Sequence, residues 1–260
     1  MLKTARTFAL VLALTLIPAL LPALAYAGER ASDQAAAKAP VQPLAVVELY
    51  TSQGCSSCPP ADAFMGELVK RPDVLGLTFH IDYWDYIGWK DPFAAPENTE
   101  RQRRHAKHLK IRSIYTPQMV IQGARDAVGS NRWQVGEAIE KTRHIPTLNV
   151  VIKRDKKSDA LKVVVPSSKV KDRARIYLFA YDEKHTTTIK RGENGGRSLS
   201  YYNVVRSTKK IGIWAGMKLK LFVPIAEMVA AGHTGCAVIV QSRNTGHILG
   251  AAYYRFEHTI

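Results

Sequence analysis

The first half of the chain alternates short apolar runs with segments of helical character. Residues 44–50 form a short, mostly apolar run typical of a buried strand, and residues 74–82 form a second such run. Segments with helical character follow at 61–70, 97–109 and 131–143. Strand and helix alternating in this way predict an α/β domain over residues 44–145.

The pattern changes from Thr147 onward, where short β-rich runs are separated by turn residues. Seven such runs are predicted as strands, at 148–153, 161–165, 175–181, 201–207, 217–223, 237–242 and 248–256. Several short strands in succession are typical of two packed sheets. We therefore expect a second, β-rich and sandwich-like domain over residues 146–260.

The N-terminus has the three parts of a secretory signal peptide. Lys3 and Arg6 provide a positive start, residues 8–25 are almost entirely apolar, and Ala25-Tyr26-Ala27 is a small-x-small cleavage site. The alternative is an uncleaved anchor, but Pro18 and Pro22 interrupt the apolar run. We expect residues 1–27 to be removed, residues 28–43 to be a disordered leader, and the mature protein to be periplasmic or secreted without a membrane segment.

Net charge adds little to this picture. Removal of Lys3 and Arg6 lowers the formal charge from +15 to +13, which remains basic. The basic residues are scattered, with short clusters only at 101–104 and 169–175, and no nucleic-acid-binding motif accompanies them. We therefore expect neither nucleic acid as a partner nor any cofactor.

The candidate chemistry lies in the sequence Cys55-Ser56-Ser57-Cys58, which joins the first strand to the first helix. A helix N-terminus stabilises a thiolate, which is the nucleophile in disulfide exchange. Cys55 comes first, so we expect it to be the more exposed, attacking thiolate. Cys58 then lies where it can resolve a mixed disulfide.

Two other interpretations of this cysteine pair remain open. It could be half of a zinc site, although structural zinc needs four ligands and only Cys236 remains. His105 and His108 lie three positions apart, but in a segment so basic that we expect a solvated face. The pair could instead be an inert disulfide in an oxidising compartment. We interpret Cys236 as a buried, unpaired thiol that exchange does not require, and we predict no metal.

The motif order resembles that of the thioredoxin fold, with Ile111–Gly123 similar to the segment that carries the cis-proline in thioredoxins. More closely, residues 48–62 (E-L-Y-T-S-Q-G-C-S-S-C-P-P-A-D), 80–93 and 191–205 resemble a bacterial secreted family, domain of unknown function 1223. The resemblance implies that Pro117, preceded by Thr116, is a cis-proline that helps to dock substrate. Glu48 is the nearest match to the buried proton acceptor of thioredoxins, but it lies one residue further from the motif. It is equally well explained as a partly exposed glutamate at a strand end.

Two loops carry further hypotheses. Residues 83–93 are rich in aromatic side chains and follow a strand end, where α/β folds place ligand sites. Asp82, Trp84 and Asp85 could therefore line a groove near the cysteines, although packing against the second domain is the favoured role for such aromatics. Residues 191–197 contain close glycines and predict a hairpin turn rather than an anion-binding nest.

Taken together, these patterns predict an exported thiol–disulfide oxidoreductase. Its partners would be protein thiols or disulfides, or a periplasmic redox protein. The alternative is a non-catalytic periplasmic binding module with a thioredoxin scaffold and a structural disulfide.

Overall fold

A computed structural model describes residues 44–145, 147–155, 157–169 and 172–256. The predicted signal peptide at 1–27 and leader at 28–43 lie outside these ranges. Within them, no helix is both long and apolar enough to cross a bilayer.

The first half contains four strands and three helices in an alternating order. They are β1 (Ala45–Thr51), α1 (Pro59–Leu68), β2 (Val74–His80), α2 (Pro96–Leu109), β3 (Gln118–Ile121), β4 (Arg125–Val128) and α3 (Arg132–Thr142). The predicted strands and helices are confirmed, with α1 beginning two residues early. It begins early because Pro59 and Pro60 occupy its first turn, where a missing N–H costs nothing.

The second half is built from strands, as predicted, with one short helix. Its elements are β5 (Val151–Asp155), β6 (Ala160–Val165), β7 (Ala174–Thr188), β8 (Ser198–Trp214), β9 (Leu219–Pro224), α4 (Ala226–Ala230), β10 (Gly235–Ser242) and β11 (Ile248–Arg255). β7 and β8 form a long hairpin whose pairing shifts register at two places along β7. Register shifts of this kind mark β-bulges or similar irregularities in the ladder.

One large sheet runs through both halves of the chain. Its eight strands are ordered β11-β10-β7-β8-β2-β1-β3-β4. β1 is parallel to β2 and antiparallel to β3, and β4 is antiparallel to β3. β2 and β8 join the halves through a single parallel pairing, Thr78 with Val204.

This continuity changes the expected organisation. The β-rich half is not a separate sandwich beside the α/β half, because its strands β7 and β8 extend the same sheet and the described residues form one compact unit. A sandwich-like packing is nevertheless present: the sheet β5-β6-β9 packs on one face of β7 and β10 around Leu161, Val163, Ile176 and Val238.

Alternation along β7 explains how the halves hold together. Ile176, Leu178 and Ala180 face the three-stranded sheet, whereas Tyr177 and Phe179 face the other way. The second set packs against the β1–β2 side of the molecule. Since successive side chains of a strand point to opposite faces, one strand contributes to two cores. The opposite face of β1 is covered by α1 and α3.

Candidate functional site

The C-S-S-C segment lies between β1 and α1, as the sequence predicts. Cys58 is the N-cap of α1, and Pro59 follows as the first helical residue. Cys55 and Cys58 are joined by a disulfide. The motif therefore lies at the positive end of a helix and at the carboxyl end of a parallel strand, where α/β proteins place their sites.

Cys55 is the more exposed of the two cysteines, as expected, but the structure buries both of them. Its side chain is 3% accessible and that of Cys58 is fully buried, whereas Ser56 and Ser57 are exposed. The small side chains of Ser56 and Ser57 do not leave Cys55 accessible. Loops from elsewhere in the chain cover it instead.

One of these loops carries Thr116 and Pro117. The Thr116 hydroxyl donates to Cys55 Sγ at 3.3 Å, and the Trp84 indole Nε1 donates to Thr116 Oγ1 at 2.7 Å. The Thr116–Pro117 peptide bond is cis. Thr116 thus contacts the first sulfur, with Trp84 bonded to Thr116 and Pro117 next to it in the chain, although their roles in docking a substrate stay predictions.

The aromatic segment at 83–93 has two different ends. Trp84 stacks on Tyr86, which is 79% exposed. At the other end, Phe93 packs against His185 and Tyr201 of the second half. Phe93 therefore has the packing role expected for this loop, whereas a groove wall at Trp84 stays a prediction.

The two acidic residues proposed for the groove have other contacts. Asp82 accepts a hydrogen bond from Thr99 of α2, and Asp85 accepts one from the backbone amide of Asp91. These contacts fix the loop, and no hydrogen bond among the described residues joins either carboxylate to a cysteine.

A loop of the second half reaches the motif, which the sequence did not reveal. Residues 191–197 connect β7 to β8 as the predicted hairpin turn. The buried Asn194 amide donates to the carbonyls of Gln53 and Cys55, both at 2.9 Å. Glu193 accepts from the Ser56 amide at 3.3 Å. Only the folded β7–β8 hairpin places these residues beside the cysteines, because they lie about 140 positions away in the chain.

Glu48 is not the partly exposed strand-end residue of one hypothesis, nor does it suit a proton acceptor. It is fully buried within β1. Both Glu48 oxygens accept hydrogen bonds from Arg101, and Tyr50 and His105 contact Oε2. Burial alone would raise the pKa of Glu48, but Arg101 and His105 hold that pKa far below its usual range.

The same contacts correct the expectation for α2. A solvated basic face was predicted, yet Arg101 and His105 are buried beneath the sheet. The Arg101 guanidinium also lies over the rings of Phe79, Tyr177 and Phe179, at 4.8–5.6 Å from their centroids. A guanidinium that is both paired and stacked on aromatic faces can be buried at acceptable cost.

The other face of β1 carries a second group of buried polar residues, which sequence reasoning missed. We call it the Asp62 cluster; its members are Thr51, Asp62, His80, Asp91 and Tyr201. His80 Nδ1 and Asp91 Oδ2 are 2.6 Å apart, and the Tyr201 and His80 rings meet edge to face at 4.8 Å. Among the described residues, four side chains of the cluster have atoms without a hydrogen-bonding partner: Thr51 Oγ1, both Asp62 oxygens, His80 Nε2 and the Tyr201 hydroxyl.

Electrostatics separate the two carboxylates of the cluster. Burial raises the pKa of Asp62 to about 7, although His80 and the nearby Thr51 hydroxyl lower it. The hydroxyl is close enough to act on Asp62, yet it lacks the geometry of a hydrogen bond. Burial also acts to raise the pKa of Asp91, but His80 and the amides of Gln53 and Phe93 lower it overall. Of the two carboxylates, Asp62 is thus the one whose pKa is raised toward neutral pH.

Cys236 lies at the start of β10, in the core between the two sheets. It is unpaired and fully buried, and burial raises the pKa of its thiol to about 12. A thiol in that environment is a poor nucleophile.

Fold and site together define a mixed α/β protein with a large sheet and a C-x-x-C disulfide at the start of a helix. The sequence model of the family described as "Protein of unknown function (DUF1223)" matches residues 46–241. The chain belongs to that family.

Solved structures of similar fold include a crystal structure of protein AGR_C_4864 from Agrobacterium tumefaciens. It is 28% identical, covers 85% of this chain and 98% of its own, and superimposes with a TM-score of 0.74. HBP35 of Porphyromonas gingivalis is similar in fold alone, at 12% identity, with 85% and 77% of the two chains covered and a TM-score of 0.54. None of the curated proteins compared matches this chain.

Proposed function

We propose that this protein is an exported thiol–disulfide oxidoreductase, whose residues 44–145 form a thioredoxin-like unit acting on protein thiols or disulfides. The sheet order β2-β1-β3-β4, with β1 and β2 parallel and β3 and β4 antiparallel to their neighbours, supports the thioredoxin-like assignment. Helices α1 and α3 on one face of that sheet agree with it.

The observation that carries the proposal is the environment of Cys55 Sγ. It lies just before the first turn of α1 and accepts a hydrogen bond from Thr116. A helix N-terminus and a hydroxyl donor both stabilise a thiolate relative to a thiol. Reduction of the disulfide would therefore produce a reactive thiolate at Cys55, with Cys58 in place as the resolving thiol.

The alternative, a binding module with a structural disulfide, is favoured by a different observation. Both sulfurs are almost inaccessible, and Asn194 fixes the motif backbone through two hydrogen bonds. A partner disulfide would have to displace part of the covering loops before either sulfur could react.

Trapping of mixed disulfides distinguishes the two functions. When Cys55 attacks, Cys58→Ser cannot resolve the adduct, so exported partner proteins should co-purify as adducts that a reducing agent releases. Cys55→Ser should trap almost none, and Cys236→Ala serves as the matched control that leaves exchange unchanged. Equal trapping by the two Ser variants would overturn the assigned roles. Absence of adducts, with slow alkylation of reduced Cys55, would favour the structural disulfide.

The localisation is part of the proposal and needs its own test. The signal-peptide pattern at 1–27 supports export through cleavage after Ala27. Intact-mass measurement of the exported protein should give a mature chain that starts near Gly28. A full-length chain retained in the membrane fraction would contradict cleavage.

A further inference from the structure

We propose that Asp62 exchanges a proton with the Cys58 thiol when that thiol resolves a mixed disulfide on Cys55, with the Asp62 cluster setting the pH of the exchange. The inference rests on the proposed function, because it describes one step of thiol–disulfide exchange at the same disulfide.

Helix geometry places the two groups together. The Asp62 amide donates to the Cys58 carbonyl at 3.1 Å, and Cys58 itself has right-handed helical backbone angles. Residues four apart lie on one helix face with Cβ atoms about 6 Å apart. Helical side chains tilt toward the N-terminus, so that of Asp62 leans toward the turn containing Cys58. Both side chains are buried.

The surroundings leave the Asp62 carboxylate available. The groups facing it come from four places: Thr51 at the end of β1, His80 at the end of β2, Asp91 in the loop before α2, and Tyr201 of β8. Within the described part of the chain, none donates a hydrogen bond to either Asp62 oxygen. A buried carboxylate normally has partners, so one without them marks a site where a proton can be held.

A proton acceptor is needed in the resolving step. The Cys58 S–H gives its proton to the ionised Asp62 carboxylate, and the resulting thiolate attacks Cys55 Sγ. The Cys55–Cys58 bond forms, the bond from Cys55 to the substrate sulfur breaks, and the substrate leaves as a thiolate. Two electrons pass from the protein dithiol to the substrate disulfide. In the opposite direction, protonated Asp62 supplies the proton to the departing Cys58 thiolate.

The step can be isolated with 5,5′-dithiobis(2-nitrobenzoate) on the reduced protein. The first release of thionitrobenzoate reports attack by Cys55, and the second reports resolution by Cys58. In the wild type, the second phase should quicken with pH through an inflection near the Asp62 pKa of about 7. Asp62→Asn should slow that phase by about 100-fold at pH 7, in the range of general acid–base catalysis, and remove the inflection. Its first phase should stay unchanged.

Two further variants control this experiment. Glu67→Gln removes an exposed carboxylate from the same helix and should change neither phase. Thr51→Val removes a hydroxyl that lowers the Asp62 pKa, so the inflection should move to higher pH, which tests the assignment independently of Asp62→Asn. An unchanged second phase in Asp62→Asn, or an unmoved inflection in Thr51→Val, would overturn the inference. Absence of a first phase in the wild type would instead contradict the proposed function.

Discussion

Glu48 and Asp62 are buried carboxylates on opposite sides of the large sheet, and their electrostatic surroundings differ. Glu48 faces α2 and is fully paired with Arg101, His105 and Tyr50. Asp62 projects from α1 toward the other face, and neither of its oxygens has a partner among the described residues. Burial acts on both in the same way, and only the partners decide which carboxylate stays ionised. Glu48 therefore serves stability, whereas Asp62 is suited to chemistry at the cost of stability.

The largest expected effect comes from removing the partner of Glu48. Arg101→Met would leave a buried carboxylate without its guanidinium, which should lower the free energy of unfolding by about 3–5 kcal/mol. Urea denaturation of the oxidised protein measures this change. Arg132→Met breaks an exposed ion pair and should shift the midpoint far less. Wild-type stability in Arg101→Met would show that Glu48 is not held by that pair.

Asp62, the unpaired carboxylate, should lower stability instead of raising it, by an amount that depends on pH. The pKa of Asp62 is about 4 in the unfolded chain and is raised to about 7 in the folded protein. Between these two pH values, the folded protein therefore binds one more proton than the unfolded chain does. The contribution of Asp62 to stability is therefore complete at low pH and is lost as pH rises through 7. A shift of roughly three units corresponds to about 4 kcal/mol.

Asp62→Asn should accordingly be more stable than the wild type at pH 8, by up to about 4 kcal/mol, and the difference should disappear near pH 4. Denaturant titrations of both proteins at several pH values measure it. A constant difference between the two proteins across this pH range would show that Asp62 titrates normally.

The smallest effect concerns two tyrosines that differ only in their partners. The Tyr50 hydroxyl donates to Glu48 at 2.7 Å, so Tyr50→Phe should cost about 1.5–3 kcal/mol. Tyr201 belongs to the Asp62 cluster, and its hydroxyl is buried without a partner among the described residues. Tyr201→Phe should therefore change the free energy of unfolding by less than about 0.5 kcal/mol, or increase it. Equal losses in the two variants, measured by denaturation at neutral pH, would remove the distinction between the two faces.

Sequence reasoning went furthest where the signal was local. The apolar runs predicted β1 and β2, and the helical spacing from residue 61 predicted the start of α1 to within two residues. The register argument about Glu48 was also local. Glu48 lies one residue further from the cysteine motif than the thioredoxin acceptor does. Because adjacent strand positions face opposite ways, this offset corresponds to a Glu48 side chain on the face of β1 opposite α1.

The site was harder to predict because its members are distant in the chain. Asp62 lies within the 48–62 segment, but its sequence position is that of an ordinary acidic residue in the first turn of a helix, where a negative charge is favourable. Its importance depends on His80, Asp91 and Tyr201, which bury it and supply no hydrogen bond. No local pattern records that a side chain will lack a partner.

The sequence by itself determined most of the elements, the position of the C-x-x-C motif at the start of a helix, and the signal-peptide pattern, because each depends on neighbours within a few positions. Tertiary structure decided that the two halves share one sheet, that Asn194 covers the motif, and that Arg101 is buried rather than solvated. It also decided that Glu48 is paired with Arg101, whereas Asp62 has no hydrogen-bonding partner among the described residues. Those outcomes depend on contacts between residues far apart in the chain, which arise only when the β7–β8 hairpin packs against β1 and β2.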